Sequence, residues 1–144
     1  MSSNLHYKKL EHMYEGAKCN EYYLPKMTIT EGRAELIILV QEKFFHSGNA
    51  VHGSVYFKAL DDVCFFAVNS IVEEVLVLTS SFNIYLLRPI SEGDLKAVGT
   101  VAHATNSSFI AEGILYDSQG KELARGSGNF VKSKIKLTAD MGYK

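Results

Sequence analysis

Two cysteines, no tract of low complexity and no excess of either charge leave several kinds of protein out of consideration. Cys19 and Cys64 are too few for a disulfide framework. Cys64 lies in the apolar run Val63-Cys64-Phe65-Phe66-Ala67, where a free buried thiol fits a reducing compartment. Fifteen Lys and Arg stand against 16 Asp and Glu, a net charge of −1. That balance lacks the basic excess by which proteins hold nucleic-acid phosphates. The longest uncharged apolar runs, Leu36 to Val40 and Val63 to Val68, fall far short of the ~18 residues a membrane span needs. The first 30 residues mix charge with apolarity and hold no apolar signal core. No repeat recurs at a period of roughly 20–50 residues. The expectation is a cytoplasmic protein with neither nucleic acid nor membrane as partner.

What is present suffices for one domain with a real core. The chain has 144 residues, 47% of them hydrophobic and 22% charged. Residues 3–16 read as a short helix that ends at Gly16, with a face too charged for a main core element. Asn20 to Pro25 reads as a turn. Met27-Thr28-Ile29 and Ala34 to Val40 have strand character, with Glu31-Gly32 turning between them. Lys43 to Gly53 is a loop with His46, Ser47, Gly48, Asn49, His52 and Gly53 close together.

Ser54 to about Val72 is the most apolar stretch and is longer than a strand's usual run of about 3–10 residues. The spacing predicts a helix, N-capped by Ser54 and buried on most sides. Four strand-like runs follow: Val75 to Arg88, Leu95 to Thr105, Phe109 to Asp117 and Leu123 to Lys134. Short turns at Ser91–Asp94, Asn106–Ser107 and Asp117–Gly120 imply antiparallel neighbours. Gly99, Gly126 and Gly128 inside strands suggest bulges or sharp curvature. The tail from Lys136 to Lys144 is polar and expected to fray. One curved antiparallel sheet around one buried helix satisfies this order: an α+β fold in two layers with its core over about residues 27–134.

His52-Gly53 at the helix entrance, Asp61 nine residues after His52, and Thr79 a further eighteen on carry a more specific signal. With Phe82 to Pro89, Gly93-Asp94-Leu95 and the closing Gly120 to Phe130 segment, they resemble the hotdog-fold acyl-CoA thioesterases. Within these the chain is similar to the PaaI-type (phenylacetyl-CoA thioesterase-like) group. The likeness runs from about Ala34 to Lys132, about two thirds of the chain. It implies hydrolysis of an acyl-CoA or acyl-carrier thioester, with no cofactor and no metal. It also implies that Asp61 is the carboxylate that attacks or activates water, and that the Gly53 N–H is the oxyanion donor. Thr79 would be a positioning hydroxyl. His52 would hold Gly53 in place, with a possible contact to the thioester.

The helix geometry adds a constraint. Gly53 and Asp61 are eight residues apart, roughly 12 Å at ~1.5 Å per residue. Donors and base for one carbonyl cannot span that distance within one chain. A symmetric homodimer with antiparallel helices, alone or as a dimer of dimers, would set Gly53 of one copy opposite Asp61 of the other. Asp62 is adjacent, and Lys58 precedes both at helical spacing, so an ordinary solvated ion-pair patch reads equally well from local context. Only the offset from His52 selects Asp61.

Three positions depart from the family pattern: His46 stands where Asn is common, Asn49 where Gly is common, and Ser54 where a second Gly follows His-Gly. Asn49 tolerates a positive φ, and a ring nitrogen of His46 could donate as an amide does. Asn49, Ser54, Phe57, Arg88 and Lys132 are candidate substrate contacts. Leu60, Phe44, Phe45 and Tyr85 are further apolar candidates, and Arg125 and Lys134 further cations for phosphates. Two other functions fit the same fold: a non-catalytic acyl-ligand binder, favoured by His46, and a hotdog hydratase or dehydratase, whose loop motif is absent.

Overall fold

The computed structural model describes residues 2–144. Its elements are α1 (Ser2–Glu15), α2 (Asn20–Tyr23), β1 (Lys26–Thr30), β2 (Arg33–Leu39), α3 (Gly53–Asn69), β3 (Val75–Leu86), β4 (Asp94–Ala104), β5 (Ser108–Tyr116) and β6 (Glu122–Lys136). The six strands form one antiparallel sheet in the order β1-β2-β4-β5-β6-β3, packed around α3. This is the curved sheet around a long buried helix that the sequence implied. Asn20–Tyr23, expected as a turn, winds into a single helical turn.

α3 sits close to the sheet because glycines clear its path. Gly99, Gly113 and Gly126 pair across β4, β5 and β6 in one row. A Cβ on Gly99 would lie 2.6 Å from the backbone carbonyl of Val63, and one on Gly113 would lie 3.1 Å from Cys64 Sγ. The register shifts fall elsewhere, at Val75/Val77, Thr79/Ser81, Val101/His103 and Leu115/Tyr116. Gly126 makes room for β3 instead, where a Cβ would lie 2.5 Å from the Asn83 carbonyl oxygen, so the strand glycines serve close approach in the curved sheet and do not mark the bulges. Leu60, Val63, Cys64 and Ala67 of α3 are sealed between the helix and the sheet, each large one contributing about 1.5–3 kcal/mol by burial.

β3 and β4 are not neighbours. β3 is an edge strand paired with β6, and β4 pairs with β2, so the link between them crosses the sheet instead of forming a hairpin. That link passes the N-terminal end of α3. There Ile90 C=O accepts from Val51 N–H at 2.9 Å, and Arg88 C=O accepts from the Tyr56 hydroxyl at 2.7 Å. At the other end of α3, buried Asn69 donates to Val72 and Val75 carbonyls and accepts from Val77 N–H. Asn69 thereby fixes where β3 starts relative to the helix.

The chain ends differ most from the sequence expectation. α1 is a core element: His6, Leu10, Met13 and Tyr14 form a buried stripe along one face. Its charges are used rather than solvated. Glu11 accepts from Ile29 N–H at 2.8 Å and Glu15 from Met27 N–H at 3.0 Å. Four residues of helix rise (~6 Å) match two residues of strand (~6.8 Å), so this pair of carboxylates closes the free edge of β1. The tail does not fray. Leu137, Met141 and Tyr143 pack on the core. His6 Nε2 donates to the Asn69 carbonyl at 2.8 Å, which leaves Nδ1 to accept from the Tyr143 hydroxyl at 2.7 Å.

Candidate active site

The loop before α3 folds on its own backbone. His46 N–H donates to Ala50 C=O, Asn49 N–H to His46 C=O, and His52 N–H to Phe44 C=O. Asn49 adopts φ +64°, the left-handed conformation that asparagine tolerates better than most residues. His46 Nδ1 accepts from Gly48 N–H at 2.9 Å, so its proton is on Nε2 and that exposed edge remains a donor.

His52, not Ser54, is the N-cap. Its backbone is extended (φ −65°, ψ 142°), and Nδ1 accepts from Ser54 N–H at 3.0 Å and lies 2.8 Å from Ser54 Oγ. Nδ1 is thus unprotonated and Nε2 carries the hydrogen. Ser54 becomes the second helical residue because Gly53 already has helical geometry. Gly53 N–H is the first of the helix, has no intrahelical acceptor, and sits at the positive end of the helix dipole.

Two turns further on, Asp61 and Asp62 have separate surroundings. Asp61 is half-buried, and its Oδ1 accepts from Thr79 Oγ1 of β3 at 2.8 Å. Burial raises its pKa above the ordinary carboxylate value. Asp62 adds to that rise, while the Thr79 bond and Lys58 oppose it. Asp62 is held by α1 and by its own helix: Tyr14 Oη donates to Oδ2 at 2.6 Å, and Lys58 Nζ to the same oxygen at 2.8 Å. This ion pair is mostly buried, with side-chain exposures of 16% and 17%, so it is no solvated patch. Tyr14 was not among the sequence candidates. The stripe His6, Leu10, Met13, Tyr14 at helical spacing was its only signal.

The remaining candidates are dispersed. His46, Asn49, His52, Gly53 and Ser54 gather at the helix entrance, while Asp61 and Thr79 meet about 12 Å along the axis. Phe57 lies between them, 40% exposed and edge-on to Phe82 at 5.4 Å. Leu60 and Phe44 are fully in the core, and Tyr85 is 62% exposed on the sheet face away from α3. The basic residues do not cluster. Arg88 N–H bonds Leu123 C=O at one end of β6, and Lys132 is nine residues along that strand, roughly 30 Å away. Arg125 is paired with Glu122 at 2.6 Å. A larger hollow of ≈ 460 Å³ on the outer sheet face, around Val98, Ile114 and Arg125, lies on the opposite side from Asp61. Among the described residues no three His, Cys, Asp or Glu are grouped to hold a metal ion, and no helix is long and apolar enough to cross a membrane.

Comparison with known proteins adds the following. A family model described as the thioesterase superfamily matches residues 48–124. No curated protein matches the chain. The PaaI protein of the E. coli phenylacetic acid degradation operon is similar in structure, with a TM-score of 0.85 at 22% identity over 94% of this chain and 99% of that one. A thioesterase family protein from Silicibacter pomeroyi gives 0.80 at 20% identity over 90% and 98%. A thioesterase from Haemophilus influenzae gives 0.79 at 15% over 88% and 90%. The structural likeness extends well beyond the residues that the family model matches, so most of the chain belongs to the shared hotdog architecture.

Proposed function

This chain belongs to the thioesterase superfamily, and from that membership we propose that it hydrolyses an acyl thioester of coenzyme A or a carrier protein, with Asp61 as base or nucleophile in a site shared by two copies of the chain. The observation that carries the reading is the pairing of Asp61 with Thr79 in half-buried surroundings, while Asp62 is tied by Tyr14 and an ion pair with Lys58. Thr79 holds one carboxylate oxygen and leaves the other for chemistry. Burial makes the carboxylate more basic than in water, which suits proton abstraction near neutrality.

As a base, Asp61 takes a proton from water, the hydroxide adds to the thioester carbonyl, and the adduct collapses with cleavage of the C–S bond, the departing thiolate taking up the proton held by Asp61. As a nucleophile, its free oxygen adds directly and the thiolate is expelled to leave a mixed anhydride, which water then cleaves to the free acid and the regenerated carboxylate, its released proton balancing the thiolate. Either route puts negative charge on the carbonyl oxygen. An unpartnered N–H at a helix N-terminus, as at Gly53, is suited to receive that charge. His52 serves by capping: with Nδ1 on Ser54 N–H it keeps the first helical turn formed, and its Nε2–H is free to meet substrate. His46 retains a donor edge as an asparagine would.

The separation of about 12 Å argues for a second copy. β3 is a twelve-residue edge strand with Leu78, Tyr85 and Leu86 exposed, a surface that proteins cover. Two-fold pairing of β3 with its symmetry mate would lay the two α3 helices antiparallel, Asp61 of each across from Gly53 of the other. Arg88, beside the helix entrance, would meet a phosphate of the thiol carrier; Lys132 of the same chain is too distant to join it, and pairs with Val77 near Thr79 instead.

The test is thiol release from a panel of acyl-CoAs by wild type and Asp61→Asn. A fall of about 10²-fold or more is expected in the variant. Equal activity in both proteins, or no thioester hydrolysed by either, would overturn the reading.

A further inference from the structure

We propose that the acyl group lies in a groove beside Asp61 built by α1, α3 and the C-terminal segment, and that this groove selects uncharged hydrocarbon acyl groups. The proposal rests on the thioesterase reading above and adds the acyl class and the residues that choose it. The groove has a volume of ≈ 300 Å³, and both aspartates open into it. Its apolar wall comes from Met13 of α1, Ala17 just beyond it, Phe65 and Phe66 of α3, Leu76 of β3 and Met141 of the tail. Three parts of the chain that are far apart in sequence therefore converge on the reacting carboxylate.

The polar atoms along the groove are already committed, except one oxygen of each aspartate. Tyr14 Oη and Lys58 Nζ both donate to Asp62. The Lys58 ammonium also lies over the Tyr23 ring at 4.8 Å and the Tyr14 ring at 5.6 Å. Asn20 Nδ2 donates to Tyr14 C=O at 2.7 Å. Asp61 uses only Oδ1 on Thr79. A ligand in the groove therefore meets hydrocarbon on one side and, on the other, the free carboxylate oxygens Asp61 Oδ2 and Asp62 Oδ1. An acyl chain ending in a carboxylate would face two aspartates and find the one nearby cation paired. An uncharged acyl group meets no such repulsion. At the ~30 Å³ a water occupies, the volume holds about ten non-hydrogen atoms. Two methionines in the wall, flexible and polarisable, adapt to straight or cyclic chains.

Two measurements test this. In the first, S-octyl-CoA, a thioether that cannot be hydrolysed, is titrated into protein carrying ¹³C-methyl methionine. The Met13 and Met141 methyl resonances should shift, while Met27, buried outside the groove, should not. In the second, kcat/KM is compared for octanoyl-CoA, acetyl-CoA and glutaryl-CoA. Each buried methylene favours binding by about fourfold, so octanoyl should exceed glutaryl by at least about 10²-fold. Ala17→Phe, at a partly exposed position, should shrink the octanoyl-to-acetyl ratio at least about tenfold. Unshifted Met13 and Met141 signals, or an unchanged ratio in Ala17→Phe, would overturn the groove assignment even if thioesters are hydrolysed. Shifted signals in a protein that hydrolyses no thioester would uphold the groove and overturn the catalytic reading alone.

Discussion

Gly53→Pro isolates the oxyanion donor with little disturbance to the fold. Proline is favoured at the first helical position, where its missing N–H has no intrahelical partner to lose. The residue before it must be extended, and His52 already is, at φ −65° and ψ 142°. The added Cβ would come within 2.9 Å of Leu86 Cδ1, the tip of a side chain 56% exposed and free to swing away. The melting temperature should therefore change by less than about 4 °C. Loss of one oxyanion donor costs about 2.7–4 kcal/mol, so kcat should fall by about 10²–10³.

The same variant tests the shared site. In a heterodimer of one Gly53→Pro chain and one Asp61→Asn chain, one site receives both lesions. The other pairs an intact Gly53 with an intact Asp61. Two inactive homodimers should then yield a heterodimer with about half the wild-type activity, one site of two. The assay is thiol release from heterodimer purified by two different affinity tags. A folded Gly53→Pro protein with wild-type kcat would refute the oxyanion role. A heterodimer as inactive as its parents would refute the two-chain site.

Other consequences are direct. Because burial raises the Asp61 pKa, the acid limb of kcat/KM should lie above the ordinary carboxylate range. A raised folded-state pKa means stability is lost as pH rises from the unfolded carboxylate value through the folded one. Asp61→Asn, which keeps an acceptor for Thr79, should therefore melt above wild type at pH 7, with no difference once pH falls below the ordinary carboxylate value; a lower melting point at pH 7 would contradict this. Gly99→Ala forces a Cβ to 2.6 Å from Val63 backbone, which a flexible tip cannot relieve, and should cost about 1–3 kcal/mol or more in urea unfolding. Cys19 is exposed, while burial pushes the Cys64 thiol up. Ellman's reagent should find one thiol in the native chain and two in denaturant.

The central fold was legible because its signals are local. The apolar length of α3, the turn residues between β4, β5 and β6, and the Glu31-Gly32 turn each act within a few residues. The order of β3 was not legible, because an edge strand that crosses the sheet uses the same turn residues as a hairpin. The strand glycines were legible only as bulges or sharp curvature, and the bulges fall elsewhere. A glycine that admits a helix backbone and one that permits a bulge look alike in sequence, and only the partner across the gap distinguishes them. α1 was discounted for its charge, yet Glu11 and Glu15 bond backbone N–H groups of β1, and no composition reveals such a partner.

The site follows the same division. His52, Gly53, Asp61 and Thr79 are spaced by one helix and one crossing, and the likeness to a family supplies their roles. The choice between Asp61 and Asp62 depends on contacts from outside α3, with Tyr14 48 residues from Asp62 and Thr79 18 residues from Asp61. Tyr14 from α1 ties Asp62 down, and Asn69 sets the register of β3 that delivers Thr79 to Asp61. Neither contact leaves a trace in the neighbours of the two aspartates along α3, which are nearly the same. The apolar groove was hidden for a related reason. Its wall draws on a helix that reads as too charged and a tail that reads as frayed, so the sequence points instead to Phe57, Leu60, Phe44, Phe45 and Tyr85 as acyl contacts. Leu60 and Phe44 are spent on the core and Tyr85 faces away, while Phe45 is half-buried and Phe57 stays partly exposed between the helix entrance and Asp61. A pocket at the meeting of both chain ends exists only once those ends have docked. Changes at Met13, Ala17 or Met141 would then alter the acyl group accepted while leaving the Asp61–Thr79 pair in place.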